Sequence, residues 1–176
     1  MGRNKEAAAL DAVALGNIAS VLGVAPAEVS DVWPLKQGLT NDSWHFATPA
    51  GEYVYRAPGI GTENLIDREA EVAALIAARD LGLDGTFVHE DAKAGWKVSR
   101  FIPNARTLDA RSGAQVARAM RMARTLHASG ARVGRSFDFY REGKRYEGLL
   151  REVADPHAIP GFDELSAKAA RVAAFA

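Results

Sequence analysis

Between Val32 and Ile102 the chain changes pattern in an order that few folds accommodate. Val32 to Lys36, Ser43 to Thr48 and Tyr53 to Ala57 are short runs rich in aromatic and β-branched residues, which reads as three strands. A helical stretch over 63–81 follows, with Leu65, Ile66, Val72, Leu75 and Ile76 at its apolar positions. Thr62 is a fair N-cap for it and Gly82 a fair residue just past its end, while Asp67 offers a second starting point inside it. Phe87 to His89 and Trp96 to Ile102 then read as two more strands, joined by a hairpin-like turn over Asp91 to Gly95. Gly38 to Asn41 breaks the first strand pair, and Pro49 to Glu52 makes a tight turn between the second and third. The expectation is an α+β domain of about five strands with one helix between the third and fourth.

Helices flank this region. Over 5–22, Leu10, Val13, Ile18, Val21 and Leu22 fall on one face and Gly23 ends the run, with a short helical turn at Pro26 to Val29. After Pro103 the strand pattern does not return. Ser112 to Ser129 reads as a helix with Val116, Ala119, Met120, Ala123 and His127 on its apolar side and Gly130 at its end. Residues 138–154, stopped by Asp155-Pro156, and 163–175 read as two more. The composition shift near Pro103 marks the expected boundary, giving 1–102 as a β-rich lobe and 103–176 as a helical segment.

Bulk properties exclude several classes of function. The 176 residues carry 22 Lys and Arg against 22 Asp and Glu, so charge alone calls for neither nucleic acid nor a membrane surface as partner. There is no cysteine, which removes disulfides and thiolate metal sites. No two of His45, His89, His127 and His157 have the helical spacing of a metal pair, so no metal ligand set is expected, and His127 is expected to be packed or to cap. No Gly-x-Ser-x-Gly elbow supports a hydrolase. Neither a signal peptide nor a long apolar run is evident, which reads as a cytoplasmic protein.

Three features can carry chemistry. The turn Gln37-Gly38-Leu39-Thr40-Asn41-Asp42-Ser43 places a glycine and small polar side chains between two strands, where backbone N–H groups can approach a polyanion; an ordinary hairpin has the same composition. Arg56, inside Tyr53-Val-Tyr-Arg-Ala57, needs an anionic partner if it faces inward and none if it faces water. Glu71, with Glu69 as competitor, precedes the apolar positions of the helix and can reach such an arginine, or can simply favour the positive end of the helix dipole. Gly59-Ile-Gly61-Thr-Glu-Asn64 lacks the third glycine of a dinucleotide fingerprint. Arg111, Arg118, Arg121 and Arg124 form a basic stripe that reads as a solvated face.

In order, Leu35-Lys-Gln-Gly-Leu-Thr-Asn41, Tyr53-Val-Tyr-Arg-Ala-Pro-Gly59, Gly61-Thr-Glu63, Ile66-Asp-Arg-Glu-Ala-Glu71 and Ser99-Arg-Phe-Ile-Pro-Asn-Ala-Arg-Thr-Leu108 resemble the choline/ethanolamine kinase family, bacterial members in particular. Leu126-His127 and Phe137-Asp-Phe139 are similar as well, so the likeness covers roughly residues 20–150. It implies a protein-kinase-like N-lobe of about five antiparallel strands and one helix, followed by the first helices of a larger lobe. It implies Gly38, Leu39, Thr40, Asn41, Asp42 and Ser43 as the loop over the phosphates of ATP, and Arg56 in place of the usual strand lysine. Glu71 becomes its helix partner, with Glu69 as the fallback. Ser99, Arg100, Phe101 and Ile102 become the hinge that meets the adenine. The implied reaction is phosphoryl transfer from ATP, with Mg2+, to choline or a related amino alcohol. Thiamine and aminoglycoside phosphotransferases, and a non-catalytic nucleotide- or partner-binding module, are the alternatives.

The chain departs from the family in one respect. The family carries a His-x-Asp-x-x-x-x-Asn segment after the hinge and a later acidic motif for the metal. The only His-x-Asp here, His89-Glu-Asp91, lies before the hinge, with Trp96 at the Asn position. The resemblance therefore implies a truncated kinase without catalytic residues or Mg2+ ligands of its own. The helices after residue 110 are then expected to expose apolar surface that could drive self-association.

Overall fold

The computed structural model describes residues 10–35, 41–59 and 66–175. The chain divides into two compact units, residues 1–134 and 135–176.

The first unit is built on a five-stranded antiparallel sheet in the order β1-β2-β3-β5-β4. The strands are β1 (Ser30–Pro34), β2 (Asn41–Thr48), β3 (Gly51–Pro58), β4 (Phe87–Glu90) and β5 (Lys97–Arg100). Paired residues on antiparallel strands project to one face. Trp44 pairs with Tyr55, Phe46 with Tyr53, and Tyr55 with Val98, which gives one face an apolar and aromatic surface. Ser43 pairs with Arg56, His45 with Val54, Val54 with Ser99, Arg56 with Lys97, and Lys97 with Glu90, which gives the other a polar and charged one.

Helix α1 (Ala12–Leu22) supplies the cover for the apolar face. Leu10, Ala14 and Ile18 join Phe46, Tyr53, Tyr55 and Val98 in a single buried core. Asn17 Nδ2 donates to Tyr55 Oη at 3.0 Å, so the one polar atom that Tyr55 brings to the core is satisfied. Asp11 caps the helix by accepting from the Ala14 N–H at 2.7 Å, and Gly23 ends it at φ 67. The start expected at residue 5 is therefore moved: the first described turn begins at Ala12, because Asp11 offers a cap, and 5–9 lie outside the described residues.

Helix α2 (Arg68–Asp80) begins at the second of the two starting points in the sequence. Asp67 accepts from the Ala70 N–H at 3.0 Å and is the N-cap, whereas Thr62 lies outside the described residues. The Asp91 turn forms as expected: Asp91 Oδ1 accepts from the N–H groups of Lys93 and Ala94, and Gly95 takes φ 77. Helix α3 (Gly113–Ala128) starts at the Ser112 cap, and its half-buried side holds Val116, Ala119 and Ala123. His127, expected to be packed or capping, is exposed in its last turn.

The second unit consists of α4 (Phe139–Arg151) and α5 (Phe162–Ala173) with a short helical turn at Pro156–Ala158. Asp138 caps α4 by accepting from the Arg141 N–H, so the Phe137-Asp-Phe139 segment is a helix start. Phe137, Phe139, Val153, Leu165, Val172 and Phe175 are exposed, as are Met120, Met122 and Leu126 on α3. Among the described residues no helix is long and apolar enough to cross a membrane.

Candidate functional site

The polar face of the sheet turns the alternation of β3 and β5 into a charged cluster. Arg56 is the only cation on β3, and its Nη2 donates to Glu71 Oε1 on α2 at 2.6 Å. Both side chains are 23% exposed, which leaves one edge of the pair open. Arg68 Nη1 lies 4.0 Å from the other Glu71 oxygen. Burial pushes the Glu71 carboxyl up, but the hydrogen bond and charge of Arg56 and the charge of Lys97 outweigh it, so the group ends below its ordinary value. Glu69, the alternative partner, is exposed near the start of α2.

Two further residues enter the cluster that the sequence did not point to. Lys97 is the register partner of Arg56 on β5, with Nζ 3.8 Å from Glu71 Oε1 and 3.9 Å from Glu90 Oε2. Glu90, at the end of β4, has a fully buried side chain, and Arg56 Nη2 lies 3.7 Å from its Oε1. Burial and the neighbouring Glu71 charge push Glu90 up to about 7. Burial and the Arg56 charge push Lys97 down. The sequence signal was present only as Lys97 between Trp96 and Val98, a spacing that also fits a solvated strand cation.

The turn residues are split by what is described. Asn41, Asp42 and Ser43 form the first residues of β2 and are half-buried; Ser43 lies directly opposite Arg56. Gly38, Leu39 and Thr40 lie outside the described residues. The described end of the segment, Asn41 to Ser43, thus lies in the sheet beside the arginine.

At the far end of β5 and just beyond it lie the four expected hinge residues, with Ser99 on the polar face and Arg100, the partner of Tyr53, on the opposite one. Ser99 is half-buried and pairs with Val54, while Arg100 is exposed. The Arg100 N–H donates to the Thr86 carbonyl at 2.8 Å, and the Phe101 N–H to the Glu52 carbonyl at 2.9 Å. Those two donors are committed to the protein, and Ile102 is exposed beyond them. Phe101 stands edge-on to His45, ring centroids 4.6 Å apart. His45 is buried, with Nδ1 3.0 Å from the Asp31 carbonyl and Nε2 2.8 Å from Glu52 Oε2, and Trp33 stacks on it at 3.5 Å. The strand irregularity between Ser30 and Trp33, with Asp31 at φ 48, turns Trp33 onto that ring.

Among the described residues no three His, Cys, Asp or Glu side chains gather to hold a metal ion.

No family model matches the chain, and no curated protein matches it. Solved structures do. The chain is similar to the crystal structure of choline kinase LicA from Streptococcus pneumoniae, with a TM-score of 0.73 and 28% identity over 93% of its length. It is also similar to the structure of LicA in complex with AMP, with a TM-score of 0.68 and 26% identity over the same share. In both cases it spans 57% of the other chain.

Proposed function

We infer that this choline-kinase-like chain is the nucleotide-binding portion of a small-molecule phosphotransferase, with ATP on the polar face of its sheet. The observation that carries the reading is the Arg56–Glu71 pair, a cation fixed by a carboxylate from the facing helix, beside the start of β2 and with one edge open. Phosphoryl transfer depends mainly on positioning and on neutralising charge, and a guanidinium held in place costs little further ordering when the phosphates arrive. The AMP complex of the similar enzyme supports a nucleotide as the ligand.

In this reading Gly38 to Ser43 lies over the phosphates. Arg56 binds one of them, and Glu71 keeps its guanidinium aimed. Ser99 to Ile102 receives the base. With the Arg100 and Phe101 N–H groups committed to the sheet, the backbone at Ile102 is where a base edge would meet the protein. The lobe boundary lies near Pro103, and the phosphoryl acceptor is choline or a related amino alcohol.

The 176 residues contain no His-x-Asp-x-x-x-x-Asn segment after the hinge. The chain by itself therefore binds nucleotide without transferring phosphate. Calorimetric titration with ATP tests the first part: saturable binding supports it, and no binding at millimolar ATP rejects it. A coupled assay for ADP release tests the second, and choline-dependent turnover by the 176-residue protein would reject it.

A further inference from the structure

The cluster under α2 is more than an arginine and its partner. Arg56 Nη2 lies 2.6 Å from Glu71 Oε1 and 3.7 Å from Glu90 Oε1. Lys97 Nζ lies 3.8 Å from Glu71 Oε1 and 3.9 Å from Glu90 Oε2. Each cation touches both carboxylates, and each carboxylate touches both cations. The four side chains come from β3, α2, β5 and β4, and only the Arg56–Glu71 contact has the length of a hydrogen bond.

We propose that Glu90 and Lys97 are positioning residues for Arg56, closing with Glu71 a ring of alternating charge that holds the guanidinium from the sheet as well as from the helix. The proposal rests on the nucleotide reading for what Arg56 does, but the ring can be tested without nucleotide.

Glu90 supplies the physical reason. Its side chain is fully buried, and neither Arg56 nor Lys97 reaches its oxygens at hydrogen-bond distance; its side-chain hydrogen-bond neighbour is the Glu71 carboxyl, to which the neutral acid can donate. A carboxyl so placed is costly in its charged form unless cations stand close, and the two nearest are Arg56 and Lys97. Around it stand Glu71 from α2, Arg56 from β3 and Lys97 from β5, with Arg68 reaching Glu71 on α2 and Asp84 acting on Lys97 from the turn before β4. Burial first, then the Glu71 charge, favours the neutral acid, while Lys97 and Arg56 favour the carboxylate. The balance near 7 makes Glu90 a group that changes state around neutral pH.

The sign follows. The folded value of Glu90 lies above its ordinary 4.5, so its neutral form is the one the fold favours. That contribution to stability is complete below 4.5 and is lost as pH rises through about 7. Once ionised, Glu90 closes the ring and holds Arg56 in its own right. Removing the Glu71 charge takes away the main charge opposing ionisation, so Glu90 then takes over as the anchor.

The experiment compares the parent with Glu90→Gln, Glu71→Gln and the double variant. Thermal melting from pH 5 to 8.5 is read without ligand. The parent's melting temperature should fall above pH 6, and that of Glu90→Gln should fall less and lie above the parent's at pH 8. Equal slopes, or a Glu90→Gln protein unfolded at pH 5, would overturn the ring. ATP titration at pH 7.5 gives the second readout. Glu71→Gln alone and Glu90→Gln alone should each weaken ATP by about threefold and the double variant by about thirtyfold, beyond the roughly ninefold product of the two, a non-additivity expected of side chains sharing one partner. Additive losses would overturn the proposal. Arg56→Ala binding ATP as the parent does would instead reject the nucleotide reading, leaving the melting profile to judge the ring.

Discussion

Arg56 Nη2 donates a 2.6 Å hydrogen bond to Glu71 Oε1 across the gap between β3 and α2. A charge-assisted bond of this length, with both side chains mostly withdrawn from water, fixes the direction of the guanidinium as well as its place. Arg56→Lys keeps the charge but loses the planar fork, so it is not a conservative change here. The lysine variant should bind ATP at least about fivefold more weakly than the parent, measured by calorimetry. Equal affinity would mean that the fork has no part in binding.

The apolar face of the sheet depends on one helix. Ile18 has no exposed surface and sits between α1 and the aromatic rows of β2 and β3. Ile18→Ala should lower stability by about 2–5 kcal/mol through lost burial and the cavity left behind. Denaturant unfolding followed by circular dichroism measures this. Val13 lies on the same helix but is largely exposed, and Val13→Ala should change stability by less than about 0.5 kcal/mol.

Gly95 separates two causes of damage. A Cβ there would stand 2.3 Å from Arg68 Cζ, yet that atom is the far end of a flexible side chain and can move. The backbone at φ 77 cannot relax so easily. Gly95→Ala should therefore cost about 1–2 kcal/mol, most of it from the left-handed conformation. Gly95→Asn, which tolerates that region, should recover about half of the loss in a melting comparison.

The same position shows what could be read in the sequence. The strands, the Asp91 turn and the glycine that closes it follow from local spacing, as does the arginine set among apolar strand residues. The Lys97–Glu90 half of the charged cluster was not legible. It arises because β5, not β4, pairs with β3, which brings Lys97 opposite Arg56, and a pairing of that kind is fixed by the whole sheet. The stacking of Trp33 on His45 is hidden for a similar reason, since it needs the irregularity of β1. The start of α2 was ambiguous locally: Thr62 and Asp67 are both acceptable caps, and Asp67 is the one seen bonded to the helix.

Asp67 also links the fold to the site. It caps the helix four residues before Glu71, so fraying there would loosen the carboxylate that aims Arg56. Asp67→Ala should cost about 1 kcal/mol of stability and weaken ATP by a smaller factor than Glu71→Gln. A larger effect on ATP than that of Glu71→Gln would show that Asp67 acts on the ligand directly.

The most direct test is the affinity of the purified 176-residue protein for ATP beside that of Arg56→Ala, by calorimetry at one pH and salt concentration. A folded Arg56→Ala variant should bind ATP at least about tenfold more weakly, while the two should differ little for adenosine, which has no phosphate for the guanidinium to hold. Equal ATP affinities in parent and variant would contradict the account.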